Sequence, residues 1–91
     1  MIFYIILEEG DLMYKLLIVE DDFIIAKGLQ KHFEKYHYDV QYIEDFEHVL
    51  DEFLEFQPDL VLLDIHLPFF DGYYWCQEIR KISQIPIVFI S

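Results

Sequence analysis

Three apolar runs in this chain each end in oxygen-bearing side chains. Leu16-Leu17-Ile18-Val19 leads into Glu20-Asp21-Asp22, Leu60-Val61-Leu62-Leu63 into Asp64, and Ile87-Val88-Phe89-Ile90 into Ser91. A carboxylate is a poor core residue but suits a strand tip, and open parallel sheets bind ligands just beyond the carboxyl ends of their strands. Asp64 is therefore the leading candidate for the functional residue. Carboxylates gathered at neighbouring tips repel one another, which raises the pKa of one of them. A hard divalent cation removes that conflict. Mg²⁺ takes oxygen ligands and commonly binds through one or two carboxylates plus a phosphate. With a single cysteine and no paired-histidine motif, the acidic residues point to Mg²⁺ rather than zinc. A carboxylate beside Mg²⁺ can attack phosphorus and form an aspartyl phosphate. A hydroxyl such as that of Ser91 could then donate to a transferring oxygen.

The elements that must position these groups follow from hydrophobic spacing. Leu60–Asp64 reads as a strand whose unbroken apolar run suits burial on both faces. Residues 16–19 form an earlier strand. A helix over 23–36 follows it, with Ile25, Leu29, Phe33 and Tyr36 at helical spacing and Asp22 placed to cap its first turn. Residues 38–43 alternate enough for a second strand. A second helix fits 45–56, with Asp45 as N-cap and Phe46, Val49, Leu50 and Phe53 on one face. Pro58 separates it from the central strand. After Asp64 comes a loop over 65–71 containing Pro68 and ending in Asp71-Gly72. A third helix fits 73–82, with Trp75, Cys76, Ile79 and Ile82 inward. Pro86 precedes a fourth strand, Ile87–Ile90.

The order β-α-β-α-β-α-β predicts an α/β fold, with right-handed crossovers, a parallel sheet and helices on both faces. In a doubly wound sheet of order 2-1-3-4-5, strands one and three are neighbours across the switch point and strand four lies beside strand three. Adjacent strands sit about 4.8 Å apart. Glu20-Asp21, Asp64 and Ser91 then open on one crevice.

Composition narrows the function. Ninety-one residues make one small domain, and 55% hydrophobic content, with 19% aromatic residues, argues against disorder. The net charge of −12 argues against this segment gripping a nucleic-acid backbone, and is compatible with cations or basic partners. Cys76, the single cysteine, rules out an intrachain disulfide, fits a reducing compartment and reads as a small core hydrophobe. The apolar run Met1 to Leu7 is too short to span a bilayer and lacks the flanks of a secretory signal. A cytoplasmic protein with no membrane partner is expected. Met13 restarts the chain as Met-Tyr-Lys-Leu-Leu-Ile-Val. The preceding Glu8-Glu9-Gly10-Asp11 can be encoded by purine-rich codons resembling a bacterial ribosome-binding site. Residues 1–12 are thus expected to be a leader or disordered extension, and 13–91 the domain.

Glu20-Asp21-Asp22 after Leu16 to Val19, Pro58-Asp59-Leu60-Val61-Leu62-Leu63-Asp64-Ile65-His66-Leu67-Pro68 with Asp71-Gly72, and Ile85-Pro86-Ile87-Val88-Phe89-Ile90-Ser91 together resemble the receiver domain of bacterial two-component response regulators. The likeness runs from about Tyr14 to Ser91. It implies a flavodoxin-like doubly wound sheet of order 2-1-3-4, with the family's fifth strand, its Lys and its last helices lying beyond Ser91. It implies that Asp64 accepts a phosphoryl group from a sensor histidine kinase. Glu20 and Asp21 would hold Mg²⁺ with Asp64, and the backbone carbonyl of His66 would complete the metal site. Ser91 would be the switch hydroxyl, and Pro68 and Gly72 would shape the loop. The wording around Pro68 to Tyr73 resembles regulators with a C-terminal winged-helix DNA-binding domain. DNA binding is then expected from such a domain rather than from this segment, as is a homodimer of the full-length protein. Without the fifth strand, strand four is an apolar edge, and a fragment ending at Ser91 is expected to be marginally stable and poorly phosphorylated.

Two other readings use the same residues. A haloacid-dehalogenase-type phosphotransferase also forms an aspartyl phosphate, but it wants Asp-x-Asp where this chain has Asp64 and His66. A non-switching interaction module, or the remnant of a truncated gene, would keep the acidic site without its response. The first reading, a phosphoacceptor without enzymatic turnover, is the expectation carried forward.

Overall fold

The computed structural model describes residues 13–91. The expectation of a leader or extension over 1–12 lies outside those residues. The elements are β1 (Lys15–Val19), α1 (Phe23–Glu34), β2 (Asp39–Tyr42), α2 (Val49–Phe56), β3 (Leu60–Asp64), α3 (Gly72–Arg80) and β4 (Ile87–Ile90). The strands form one parallel sheet of order β2-β1-β3-β4, the order expected for a doubly wound fold.

The apolar runs of β1 and β3 are unbroken because both faces of the sheet are covered. Leu17, Val19, Val61 and Leu63 point to one side, where Val49, Phe53 and Phe56 of α2 and Trp75 and Ile79 of α3 pack on them. Leu16, Ile18 and Leu62 point to the other side and meet Ala26 of α1 with Tyr38 and Val40. Leu16, Leu17, Ile18, Val19, Val61 and Leu63 are essentially inaccessible, and full burial of one such side chain is worth about 1.5–3 kcal/mol. At the opposite end of these strands, Lys15 N–H donates to Asp59 Oδ2 and Asp59 N–H to Lys15 O, both at 2.8 Å. This reciprocal pair ties the start of β1 to the start of β3.

The helices differ from expectation in instructive ways. On α1 the inward stripe is Ala26, Leu29, Gln30 and Phe33, while Ile25 and Tyr36 are exposed. Gln30 is drawn inward because its Nε2 donates to Val40 O of β2 at 3.0 Å. The helix stops at Glu34, and His37 turns the chain with φ 68°.

Asp45 does not cap α2, which starts at Val49. Its carboxylate instead closes a turn, accepting from Glu47 N–H at 3.0 Å and meeting His48 Nδ1 at 2.8 Å. The amides of Glu44 and Asp45 are taken up by the Glu52 carboxylate. A local side-chain bond here competes with the helix and delays its start. α3 begins one residue early, at Gly72, and Ile82 is exposed beyond its end. Trp75 and Ile79 are buried, and Cys76 is half-buried against the same cluster.

Candidate functional site

The site is built by strand register. Leu16 to Val19 of β1 run beside Leu60 to Leu63 of β3. One residue further along, Glu20, just past the end of β1, stands beside Asp64, the last residue of β3. On the other flank of β3, Asp64 is paired with Ile90, and the Ile65 N–H donates to Ile90 O at 3.3 Å. Ser91 follows directly and is exposed.

One carboxylate oxygen from each of Glu20, Asp21 and Asp64 falls within 4.8 Å of the others. The surroundings of the three differ. Asp64 is 7% exposed and Glu20 9% exposed, while Asp21 is exposed. Burial pushes the Glu20 carboxyl above its usual range, the Asp22 N–H opposes that shift, and the Asp64 and Asp21 carboxylates add to it. The Asp22 N–H donates to Glu20 Oε1 at 3.1 Å.

The neighbours of this group hold it without joining it. Asp22 caps α1, its Oδ1 accepting from Ile24 N–H at 3.0 Å and Ile25 N–H at 3.2 Å, as its place before the helix suggests. The His66 N–H donates to Asp64 Oδ1 at 3.2 Å, and the His66 ring is exposed and outside the acidic group. Gly72 donates its N–H to Ile65 O at 2.9 Å. A surface groove lined by Lys15, Asp39, Gln41, Glu52, Glu55 and Phe56 lies at the opposite, amino-terminal end of β1 and β2 and shares none of these residues. Sequence reasoning treated Gly72 as a loop-shaping residue. Its close approach to the Asp64 backbone arises only when α3 folds back over the strand tip.

Residues 16–91 match the family model of the response regulator receiver domain. The chain belongs to that family. Receiver domains are signalling modules of two-component systems. The sequence is 57% identical over 79 residues to the uncharacterized transcriptional regulatory protein YvcP of Bacillus subtilis, covering 87% of this chain and 33% of that protein. The chain thus spans about a third of the length of the curated relatives it matches. Among solved structures it resembles the N-terminal domain of the nisin resistance regulator NsrR, a lantibiotic response regulator. That likeness has 47% identity and a TM-score of 0.79, and covers 86% of this chain and 66% of the other. It also resembles a structure of histidine kinase ThkA in complex with response regulator TrrA, at 31% identity and TM-score 0.77, over 85% of this chain and 67% of the other. Among the described residues, no helix is long and apolar enough to cross a membrane.

Proposed function

We propose that this receiver domain accepts a phosphoryl group on Asp64 from a sensor histidine kinase. The observation that carries the reading is the convergence of Glu20, Asp21 and Asp64 at the carboxyl end of β1 and β3, in a chain of the receiver family. Asp64 Oδ1 accepts from the His66 N–H, which orients the carboxylate, and one of its oxygens is the attacking atom. As that oxygen bonds to phosphorus, the bond from phosphorus to the donor imidazole nitrogen breaks, and the nitrogen keeps the electron pair. The product is an aspartyl phosphate.

The donor set suits Mg²⁺. It consists of carboxylate oxygens, and the crowding of Asp64 and Asp21 against Glu20, which adds to the burial that raises the Glu20 pKa, is a conflict that a hard cation relieves. The residues that would hold the ion are Glu20, Asp21 and Asp64, with the backbone carbonyl of His66. Bound there, Mg²⁺ would supply charge neutralisation for the phosphoryl oxygens. Ser91 follows the β4 residue paired with Asp64, so its hydroxyl is assigned as the donor to a phosphoryl oxygen after transfer.

The relatives' printed role as transcriptional regulators supports a transcriptional output, carried by a DNA-binding part of the full-length protein in a cytoplasmic homodimer. The net charge of −12 supports the view that this segment itself does not bind DNA.

The test is acetyl-phosphate or kinase labelling of the full-length protein with and without Mg²⁺. Stoichiometric labelling that is lost in alkali and in hydroxylamine is expected in wild type, with none in Asp64→Ala and none after chelation. Labelling that survives Asp64→Ala would overturn the assignment, and steady release of phosphate from a generic ester would point to a turnover enzyme instead.

A further inference from the structure

The two ends of the β1–β3 pair carry opposite demands. At the carboxyl end, Glu20, Asp21 and Asp64 bring carboxylate oxygens within 4.8 Å of one another, and like charges this close favour parting the strand tips. At the amino end, Lys15 N–H donates to Asp59 Oδ2 and Asp59 N–H donates to Lys15 O, both at 2.8 Å. Lys15 adds a third tie. Its Nζ donates to Phe56 O at 3.3 Å and lies 5.5 Å from the centre of the Phe56 ring. The first residue of β1 is thus clamped to the turn between α2 and β3. That turn is stiff, because Gln57 closes α2 in the left-handed region with φ 53° and Pro58 fixes its own φ.

Between the two ends, Leu16 to Val19 pair with Leu60 to Leu63, and Leu16 to Val19 and Val61 to Leu63 are buried. A close-packed ladder of this kind transmits strain along its length. Burial of alternate faces selects the pairing in whole residues, but it does not oppose a splay or shear smaller than one residue. A binding constellation tolerates displacements of only about 0.5 Å. A carboxylate accepting a backbone N–H is among the stronger and more directional bonds available to resist such a motion.

We infer that Asp59 is a positioning residue for the acidic site: its carboxylate, clamped on the first amide of β1, holds β1 and β3 in the alignment that sets Glu20 beside Asp64. The inference rests on the reading of that group as a Mg²⁺ site. Asp59 is outside the acidic group and acts on it through the ladder. The coupling is reciprocal, so whatever Asp59 adds to the affinity for Mg²⁺, bound Mg²⁺ returns to the clamp. Asp59 is exposed, and its truncation opens no cavity in the core.

The experiment compares Asp59→Asn with Asp59→Ala in the full-length protein. Both remove the same charge, so any long-range effect on the acidic group is common to them. Asn keeps a carbonyl oxygen to accept from Lys15 N–H, and Ala does not. Gln30→Ala, which removes the bond to Val40 O on the other face of the sheet, serves as a loss of stability away from the clamp. Mg²⁺ affinity is read by titration of each folded variant, and urea midpoints are read with and without Mg²⁺. Asp59→Ala is expected to bind Mg²⁺ about fivefold more weakly than Asp59→Asn, at the lower end of coupling between distinct sites. Mg²⁺ should also raise its urea midpoint less, while Gln30→Ala binds Mg²⁺ as wild type does. Equal affinity in Asp59→Asn and Asp59→Ala would overturn the inference and leave the metal site intact. The same loss in Gln30→Ala would also overturn it, as would an Asp59→Ala that does not fold, because the role would then be structural alone. Wild-type protein that binds no Mg²⁺ overturns both readings.

Discussion

A Cβ atom on Gly72 would collide with the backbone carbonyl oxygen of Asp64 and come within 2.9 Å of Ile65 Cα. The first residue of α3 therefore lies directly against the tip of β3, and only a hydrogen in place of a side chain permits that approach. The obstacle is backbone, which cannot swing aside as a flexible side chain would. Gly72→Ala is expected to cost about 1–3 kcal/mol of stability as overpacking and to slow phosphorylation of Asp64. Urea denaturation paired with acetyl-phosphate labelling measures both. An unchanged midpoint would show that α3 can shift off the strand tip freely.

Asp21 and Asp22 are adjacent yet serve different ends. Asp22 caps α1 through two backbone amides, whereas Asp21 joins the acidic group. Asp22→Ala is expected to lower unfolding free energy by about 0.5–2 kcal/mol while leaving Mg²⁺ affinity near wild type. Asp21→Ala should weaken Mg²⁺ binding with little change in stability. Denaturation and metal titration on both variants give the comparison, and a reversed pattern would exchange the two roles.

Gly28 sits within α1 with no heavy atom within 4 Å of where a Cβ would be. Among the described residues nothing occupies that space, so the conformational freedom of glycine in the unfolded chain is uncompensated. Gly28→Ala should stabilise the protein by about 0.5–1 kcal/mol, read as a raised thermal midpoint. A lowered midpoint would reveal a contact made elsewhere in the full-length protein.

His48 and Asp45 form an exposed pair before α2. The hydrogen bond that His48 donates to the Asp45 carboxylate raises the His48 pKa above its ordinary 6.5; the Asp45 charge adds to this, with further help from Asp51 and Glu47. The same hydrogen bond leads the lowering of Asp45 below 3.8. Protonated His48 thus contributes stability that is fully present below pH 6.5 and is lost as pH rises through its raised value. Ionised Asp45 contributes above pH 3.8 and loses that contribution as pH falls through its lowered value. The turn is best ordered between those limits, and because the pair is solvated its effect on global stability is small. NMR titration should show an elevated His48 value that returns toward 6.5 in Asp45→Asn. An unshifted His48 in wild type would refute the pairing in solution.

Strands β1 and β3 were legible because burial on both faces demands an unbroken apolar run, and their parallel order followed from the helices between them. The start of α2 was not. Asp45 has the residue type of an N-cap, but His48 and Glu47 capture its carboxylate first. The inward face of α1 was displaced as well. Ala26 and Gln30 carry weak hydrophobic signals, yet close packing on β2 and a bond to Val40 O bring them inside, while the more apolar Ile25 stays in solvent.

By itself, the sequence determined which side chains could do chemistry: acids and a hydroxyl at the ends of apolar runs, with no rival cysteine or histidine set. From the element order it placed them at one crevice, but it could not fix how near they come, because Glu20 and Asp64 are far apart in the chain and like charges do not seek each other. The tertiary structure decided that. Packing the alternate faces of β1 and β3 against different helices admits one register, since a one-residue slip would reverse every buried side chain. That register sets Glu20 and Asp64 at the sheet's edge as neighbours and Ile90 on the opposite flank of Asp64. Apolar burial therefore holds the carboxylates in a proximity that their own electrostatics oppose.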